Sequence, residues 1–468
     1  MRLLSRPVIP SCVALNRAAR ELDLDTPGRN GEVLSQYQRA GIAWIASIDR
    51  GILGDEMGTG KTAQALRSAE RGDKTLVFCP KSVKSVWKDE AAKWCPWMSV
   101  DIESGFRKPF ANEVVVCAYS EVPDERSLDK RTLKTFLDVR AFVDEAQAIK
   151  NPHAQVTRNV RAITDRCKRV ILMTGTPMVG DPDDLWGLLL AGKLNERCFP
   201  SNAEREGWDE YRELCQGELK TVWRSVKTSE GVKRIPSGER MIWGATSTTV
   251  HERLKRVMLR RTKAEVMPEL PQKRYQTLYV PAPDDITDFL DNVKEEWDFL
   301  DADALPPITL LSEARLAISR SRVPHAIDFC ESHASFEAPI LVFSNYVQPC
   351  EAIGRLPGSA SITGDTKDTA QIVRDFQAGK YRILAMTIQT GGAGLTLTRA
   401  QTVLFVDLNW TPGLNEQAED RASRKGQTGS VLVVDMVSEH PVDLHVHELL
   451  RVKKKNIARA IDGKEIEG

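Results

Sequence analysis

Short apolar runs alternate with amphipathic stretches along most of this 468-residue chain. Such runs, rich in β-branched residues, predict buried strands, and the helix-length segments between them predict covering helices. One series of runs lies at 75–79, 114–117, 141–143 and 170–173, and a second at 340–343, 382–385, 403–406 and 431–434. Strands without a polar face are typical of parallel sheets that are covered on both sides. Two series therefore predict two α/β domains.

The alternation breaks between the two series. From about residue 191 to residue 273 strand signals are few, and we predict an insertion, partly helical, that leads into a linker. Between Lys220 and Arg274 the sequence carries 14 Lys or Arg residues against 5 Asp or Glu residues. The whole chain is balanced, with 65 basic and 65 acidic side chains. This local surplus favours contact with a polyanion.

The sequence is predicted to divide into five segments. They are an N-terminal extension (1–30), a first α/β domain (31–195), a helical insertion with a basic linker (196–275), a second α/β domain (276–448) and a C-terminal helix or brace (449–468). Composition, with 41% apolar and 28% charged residues, is that of a soluble protein. We find neither a signal peptide nor a membrane-length apolar run and expect a cytoplasmic protein. The nine cysteines, none in a Cys-x-x-Cys pair, predict reduced thiols.

A glycine-rich segment carries the clearest chemistry. Residues 55–62 read DEMGTGKT, after the short apolar stretch 51–54 and before the helix-compatible stretch 63–69. Backbone amides in such a turn form a concave anion site that suits a triphosphate. Lys61 would reach the β and γ phosphates, and Thr62 would bind Mg²⁺. The common pattern has glycine six residues before the lysine, where this chain has Asp55.

Two adjacent acids follow a predicted strand at 144–147 (DEAQ). Open α/β sheets bind their ligands at the carboxyl ends of the strands. Asp144 would hold Mg²⁺, directly or through water, and Glu145 would orient and deprotonate the attacking water. Such a pair could also merely cap a helix, but the upstream phosphate loop favours the catalytic interpretation.

These segments resemble motifs of superfamily-two helicases: 55–62 resembles motif I, 144–147 motif II and 174–177 (TGTP) motif III. Residues 258–270 (MLRRTKAEVMPEL) and 417–427 (QAEDRASRKGQ) resemble the linker signature and motif VI of the Swi/Snf-type double-stranded-DNA translocases. Residues 34–38, 341–346 and 391–397 resemble three further motifs in the same order. The resemblance implies two RecA-like domains in tandem, and the compact insertion resembles the annealing-helicase subgroup, a minimal motor of the kind that bacteria and phages carry. Gln147 departs from the family, which commonly has histidine there.

The resemblance implies ATP and Mg²⁺ as cofactors and DNA, duplex or branched and of any sequence, as partner. The residues implied to bind the nucleotide are Gln38, Asp55, Glu56, Met57, Gly58, Thr59, Gly60, Lys61, Thr62 and Gly394, with Thr62 and Asp144 at the metal. The residues implied to act in catalysis are Lys61, Asp144, Glu145, Gln147, Arg421 and Arg424, the two arginines reaching the γ-phosphate when the domains close. The residues implied to contact DNA are Lys81, Ser82, Thr174, Thr176, Arg260, Arg261, Lys263, Thr363, Thr387 and Trp410.

Three alternatives stay open at this point. A strand-separating DNA or RNA helicase would share every ATPase residue. A nucleic-acid-binding switch with negligible turnover would bind ATP alone, although the intact acids and arginines oppose it. A restriction or repair subunit would need a nuclease on another chain.

Overall fold

The computed structural model describes residues 24–200, 204–228, 231–282, 308–391 and 395–465. These residues form two compact units. The first unit comprises the residues up to Leu214, then Thr246–Pro268, then the residues from Ile457 onward; the second comprises Cys215–Ala245 and Glu269–Asn456. Among the described residues, none of the helices combines the length and apolar character needed to cross a lipid bilayer.

The strands are, in chain order, β1 (Arg50–Leu53), β2 (Lys74–Cys79), β3 (Ser99–Asp101), β4 (Glu113–Ala118), β5 (Val139–Asp144), β6 (Arg169–Met173), β7 (Gly217–Thr228), β8 (Gly231–Trp243), β9 (Met258–Leu259), β10 (Arg274–Val280), β11 (Ile340–Ser344), β12 (Ser359–Ile362), β13 (Ile383–Thr387), β14 (Thr402–Phe405) and β15 (Leu432–Ser438). Every apolar run in the two predicted series lies in one of these strands or overlaps it. The short strands β1, β3, β9 and β12 were not predicted as strands, because few residues in each carry the periodic signal. The longer β10 was not predicted either, because most of its residues are not buried and form no apolar run.

The helices of the first unit are Gln36–Ser47, Lys61–Arg67, Lys84–Trp94, Lys130–Lys134, Gln155–Thr164, Pro182–Gly192, Asn195–Cys198, Glu204–Leu214, Thr249–Leu254 and Lys263–Val266. The helices Ile308–Ser321, Val323–His333, Val347–Gly354, Thr369–Gln377, Ile388–Gly391, Pro412–Glu419 and Pro441–Ile457 follow later in the chain. The last of these begins eight residues before the predicted boundary at 449.

Each unit is organised around a parallel sheet. The first sheet has the order β3-β4-β2-β5-β6-β1-β9, and the second has the order β10-β15-β14-β11-β13-β12. The central strands are buried along their whole length, as β4 and β5 illustrate. One face of the first sheet packs against the helices Gln36–Ser47, Lys61–Arg67 and Lys84–Trp94. This architecture confirms the predicted pair of parallel-sheet α/β domains.

Within the described residues of the insertion and linker, helices form at Glu204–Leu214, Thr249–Leu254 and Lys263–Val266. Between the first two lies an antiparallel hairpin of β7 and β8, with a register irregularity at Val222 and Trp223. Within the described part of the chain, the hairpin pairs with no third strand. The insertion is thus partly helical, and it also contains a hairpin that the sequence did not predict. The hairpin strands interleave basic residues with apolar ones, and a ribbon needs no doubly buried face, so no continuous apolar run marks them.

The second unit buries a cluster of ionisable groups beside β10 and β15. Lys273 forms ion pairs with Glu419 (2.9 Å) and Asp420 (2.8 Å). Burial, and then the charge of Glu419, raises the pKa of Glu416 to about 7. Lys273 and Lys454 oppose this shift, and Asp420 adds to it. Glu416 is therefore harder to ionise in the folded unit than in the unfolded chain.

We expect the second unit to lose stability as Glu416 ionises. Its folded-state pKa lies above the ordinary value of 4.5, so the folded unit binds the extra proton and stability falls as the pH rises from about 4.5 to about 7. In thermal unfolding, the difference in stability between the Glu416→Gln variant and wild type should grow in favour of the variant as the pH rises through this window. Above the window the difference should stay constant. Glu351→Gln, a change at a half-exposed glutamate, is the control. Parallel pH profiles for Glu416→Gln and wild type would contradict this assignment.

Candidate active site

Three strands of the first sheet end in register at one edge. Leu53 of β1 and Asp144 of β5 both lie beside Met173 of β6. The segments 54–62, 145–147 and 174–177 follow these strands and so leave the sheet at the same edge. Ligands of parallel α/β sheets bind there, because loops from neighbouring strands diverge and leave a crevice.

The loop at 54–62 turns around the ammonium group of Lys61. Gly58 and Gly60 have φ angles of +79° and +80°, a left-handed conformation that residues with a Cβ rarely adopt. Lys61 Nζ donates to the carbonyl oxygens of Asp55 (2.8 Å) and Glu56 (3.1 Å). Burial lowers the pKa of Lys61, against the opposing effect of Glu145, Asp55 and Asp144. The loop thus holds a partly desolvated cation, which suits a polyanionic ligand.

Asp144 is buried at the end of β5 and is 7% exposed. Its Oδ2 accepts a hydrogen bond from Trp87 Nε1 (2.8 Å), and its Oδ1 accepts one from the backbone N–H of Glu145 (3.0 Å). Burial, and then the neighbouring charge of Glu145, raises the pKa of Asp144 to about 6. The carboxylate is thus fixed in direction, as a metal ligand requires.

Glu145 and Gln147 form a short chain of hydrogen bonds towards the third segment. Glu145 has a φ of +50°, which is strained for a residue with a side chain. Gln147 Nε2 donates to Glu145 Oε2 (2.7 Å), and Gln147 Oε1 accepts from the hydroxyl of Thr174 (2.8 Å). Gln147 therefore connects Glu145 to Thr174. Its side-chain amide can do so because it carries both a donor group and an acceptor.

The linker arginines, predicted to contact DNA, have other partners. Arg260 Nη1 donates to the carbonyl oxygens of Gly54 (2.8 Å) and Gly175 (2.9 Å), and its Nε donates to Asp462 (2.8 Å). Its side chain is 11% exposed. The guanidinium therefore has partners inside the first unit, and a contact of Arg260 with DNA stays a prediction.

Arg261 pairs with the aspartate that replaces glycine at the start of the loop. Its Nε donates to Asp55 Oδ1 (2.9 Å), and its Nη2 donates to Asp55 Oδ2 and to Gln64 Oε1. The Arg261 guanidinium also lies over the Tyr37 ring, 5.4 Å from its centroid. Asp55 is fully buried. Arg261 is thus the charged partner of Asp55, and a contact of Arg261 with DNA stays a prediction.

Three more predicted DNA contacts are buried. The residues and their exposed fractions are Lys263 (8%), Thr174 (1%) and Thr176 (6%). The backbone N–H of Lys263 donates to Glu56 Oε2 (2.7 Å), and the backbone N–H of Thr176 donates to the Thr174 hydroxyl (3.0 Å). These side chains are little exposed in this structure, and their contact with DNA stays a prediction.

The other predicted DNA contacts differ in exposure. Lys81 and Ser82 are exposed in a 3₁₀ turn directly after β2. Thr363 is half-buried after β12, whereas Thr387 is 8% exposed and its hydroxyl is hydrogen-bonded to that of Thr390 (2.6 Å). Trp410 is half-buried beneath the Arg315 guanidinium, 4.3 Å from the ring centroid. Lys81 and Ser82 therefore remain the accessible candidates on the first unit.

Several nucleotide-site predictions concern residues near these motifs. Gln38 Nε2 donates to the carbonyl oxygen of Thr59 (3.2 Å), which places its amide on the phosphate loop. Met57 is buried against Gly175, where a Cβ would lie 2.5 Å from Met57 Cγ. Gly394 lies outside the described residues.

In the second unit, the two arginines of residues 417–427 both contact the segment around 395. Arg421 is 1% exposed, and its Nη1 donates to the Leu395 carbonyl oxygen (3.4 Å). Arg424 is half-buried, and its Nη1 donates to the Thr396 hydroxyl (3.2 Å). Their action on a γ-phosphate stays a prediction.

Sequence analysis missed four residues that shape the site. Tyr37 donates to the Thr59 carbonyl oxygen (3.0 Å), Trp87 orients Asp144, Tyr119 donates to the Asp144 carbonyl oxygen (2.6 Å), and Asp462 binds Arg260. The aspartate at position 55 could have indicated the contact between the loop and the linker. A buried acid in place of glycine needs a cation nearby, and the linker supplies one.

The oxygen atoms at this edge of the first sheet can bind Mg²⁺ only if a nucleotide supplies further ligands to the ion. Within the described ranges, no three His, Cys, Asp or Glu side chains cluster closely enough to hold a metal ion by themselves. Mg²⁺ is commonly bound by one or two protein oxygens together with phosphate oxygens and water. The Asp144 carboxylate and the Thr62 hydroxyl are donors of that type, so they fit the ion.

Comparisons with known proteins give a consistent result. The family model for the SNF2-related domain matches residues 37–288, and that for the helicase conserved C-terminal domain matches residues 321–426. The chain is 27% identical over 494 residues to the DNA annealing helicase and endonuclease ZRANB3 of Homo sapiens, covering 97% of this chain and 42% of that protein. It is 27% identical over 436 residues to the Caenorhabditis elegans homolog of SWI/SNF-related matrix-associated actin-dependent regulator of chromatin subfamily A-like protein 1, covering 88% of this chain and 59% of the homolog.

Solved structures give a similar match. The Sulfolobus solfataricus SWI2/SNF2 ATPase core in complex with dsDNA is 20% identical, with a TM-score of 0.40, and the match covers 92% of this chain and 97% of that chain. This chain spans about half the length of the curated relatives described above.

Proposed function

Because this chain belongs to the SNF2-related family, whose domain matches residues 37–288, we propose that it is a DNA-dependent ATPase. Hydrolysis of ATP would move the protein along duplex or branched DNA without regard to sequence. The observation that carries the proposal is the convergence of the phosphate loop, Asp144 and Glu145 at one edge of the first sheet.

The first unit supplies the groups that ATP binding needs. Lys61 neutralises phosphate charge, and the glycines at 58 and 60 allow the backbone to approach the phosphates closely. When bound through Asp144 and Thr62, Mg²⁺ neutralises charge that develops on the phosphate oxygens. Gln38, whose amide lies on the loop, supports a preference for adenine through the family resemblance.

Glu145 is positioned to act on water. Its carboxylate follows Asp144 directly, and the hydrogen bond from Gln147 restricts the orientation of one of its oxygens. A general base must lie within hydrogen-bond reach of the proton that it accepts. The backbone at residue 145, with a φ of +50°, has a strained conformation of the kind found at active sites. We assign Glu145 as the base and Gln147 as the residue that orients it.

DNA binding would rest on phosphate contacts. The relatives named above are a DNA annealing helicase and a regulator of chromatin, and phosphate contacts position a protein without reading bases. On the first unit, exposed Lys81 and Ser82 are the proposed contacts, and on the second, Thr363. Each lysine–phosphate contact releases counterions, so affinity falls as salt rises.

The test is steady-state ATP hydrolysis without nucleic acid and with single-stranded DNA, duplex DNA, branched DNA or duplex RNA. We expect duplex or branched DNA to stimulate turnover most and rising salt to raise the DNA concentration needed for half-maximal stimulation. Lys81→Ala should weaken DNA activation while leaving DNA-free turnover unchanged; Lys134→Ala, a change at an exposed lysine on the helix that precedes β5, is the control. Stimulation by single strands or RNA alone would favour a strand-separating helicase. ATP hydrolysis that stays negligible with every nucleic acid would reject the proposed DNA-dependent ATPase.

A further inference from the structure

The residues from Ile457 onward belong to the first unit, although nearly all of the helix before them, Pro441–Ile457, belongs to the second. After the helix Pro441–Ile457, the chain forms a π-helical turn at Ala458–Asp462. His251 Nδ1 lies 2.7 Å from the Ile461 carbonyl oxygen. Gly463, with a φ of +64°, packs so closely that a Cβ there would lie 2.6 Å from the His251 ring. This docking fixes the position of the terminal segment on the helix Thr249–Leu254.

The docked segment presents one carboxylate to the linker. Asp462 Oδ1 accepts a hydrogen bond from Arg260 Nε (2.8 Å), and the two side chains are 17% and 11% exposed. The same guanidinium donates through Nη1 to the carbonyl oxygens of Gly54 and Gly175. One planar group therefore connects the C-terminal segment, the start of the phosphate loop and the segment 174–177.

The geometry gives Asp462 a defined task. A guanidinium has its donors in a rigid plane, so a carboxylate that fixes Nε also fixes the direction of both Nη groups. Arg260 also faces Glu56, whose Oε1 lies 3.6 Å from Nη2, the nitrogen on the same edge of the guanidinium as Nε. Without Asp462, Glu56 would draw the guanidinium towards itself, and the bonds to Gly54 and Gly175 would loosen.

We propose that Asp462 is a positioning residue for ATP hydrolysis, which acts through Arg260 on the phosphate loop and on the segment 174–177. The inference rests on the proposed ATPase function. It assigns the C-terminal segment a part in the chemistry of the first unit.

Removing the Asp462 charge should leave the fold intact. The pair lines a cavity of about 330 Å³, whose wall also includes His251, Lys255 and Lys464. Water in a polar cavity of this size can solvate the exposed part of the guanidinium. Asp462→Asn is therefore a mild change, and Asp462→Glu keeps the carboxylate.

The experiment compares full-length wild type with Asp462→Asn, Asp462→Glu and the control Glu465→Gln. Glu465 lies in the same segment and pairs with Arg459 (2.8 Å), away from the loop. We expect Asp462→Asn to lower kcat about tenfold at saturating DNA with a smaller change in KM for ATP. Asp462→Glu should recover part of the loss, and Glu465→Gln should match wild type.

Two further readouts separate positioning from general destabilisation. Amide hydrogen exchange should accelerate in peptides that cover 54–62 and 174–177 in Asp462→Asn, while exchange in β4 and β5 stays unchanged. Arg260→Gln combined with Asp462→Asn should be no slower than Arg260→Gln alone, because both changes break one connection. Losses of kcat that add up in the double variant would overturn the proposal. Amide exchange in peptides 54–62 and 174–177 of Asp462→Asn that equals the exchange in Glu465→Gln would also overturn it. If wild type hydrolyses no ATP, the proposed function fails, yet hydrogen exchange still decides whether Asp462 orders the loop.

Discussion

Replacing Glu145 with glutamine is expected to lower kcat for ATP hydrolysis by about 10² to 10⁴-fold. The amide has nearly the shape of the carboxylate but cannot accept a proton from the attacking water. Its Nε2 or Oε1 can still face Gln147, so the local structure should persist. Because Lys61 and the loop glycines are untouched, ATP affinity should change little, and the variant should remain bound to ATP.

Lys61→Ala is the matched comparison, since it removes a group that contacts phosphate in both ground and transition states. It should weaken ATP binding as well as turnover, whereas Glu145→Gln should affect turnover alone. Single-turnover hydrolysis and equilibrium binding of ATP measure the two quantities separately. A Glu145→Gln variant that retained more than about a tenth of wild-type kcat would remove Glu145 from the role of general base.

Replacing Arg261 with methionine is expected to destabilise the first unit by about 3–5 kcal/mol. Asp55 has no exposed surface, and Arg261 is its charged partner through two nitrogens. Methionine fills part of the volume but leaves a buried carboxylate that only Gln64 can still contact (3.3 Å). Isolated buried charges are costly because the protein interior solvates them poorly. Chemical denaturation of the first-unit transition measures the loss.

A second substitution tests whether the charge causes the loss. Asp55→Asn together with Arg261→Met should be more stable than Arg261→Met alone, because no unpaired charge remains. Arg126→Met is the control, since Arg126 pairs with Asp124 on the surface and is 80% exposed; this change should leave the transition unaltered. If the double variant were as unstable as Arg261→Met, packing rather than charge would hold the loop.

The linker arginines illustrate why a basic surplus in the sequence does not identify its partner. A basic surplus between Lys220 and Arg274 indicates that anions lie nearby, but DNA phosphates and protein carboxylates satisfy the same positive charge. Arg261 and Asp55 are 206 positions apart in the sequence. Their contact arises because β9 adds to the edge of the first sheet beside β1, with Leu53 opposite Leu259. A strand of two residues has too short a pattern to predict that pairing.

The conformation of the loop at 54–62 was more predictable from the sequence than the exposure of the DNA-contact candidates, for a physical reason. Glycines at 58 and 60, with Lys61 at the start of a helix, form a local motif whose geometry depends on a few adjacent residues. The burial of Thr174 and Thr176 in the folded unit has no comparable local signal in the sequence. Exposure is a property of the whole fold, so a residue type alone does not predict it.

The sequence by itself determined the two parallel-sheet units and the position of the phosphate loop and the acids, because each depends on patterns within one strand and the turn after it. Only the tertiary structure decided that β7 and β8 form a hairpin, that Arg260 and Arg261 brace the loop and that residues from Ile457 return to the first unit. These features join segments far apart in the chain. Which distant segments meet is selected by the packing of whole elements, since many charged partners are equally compatible with the local sequence.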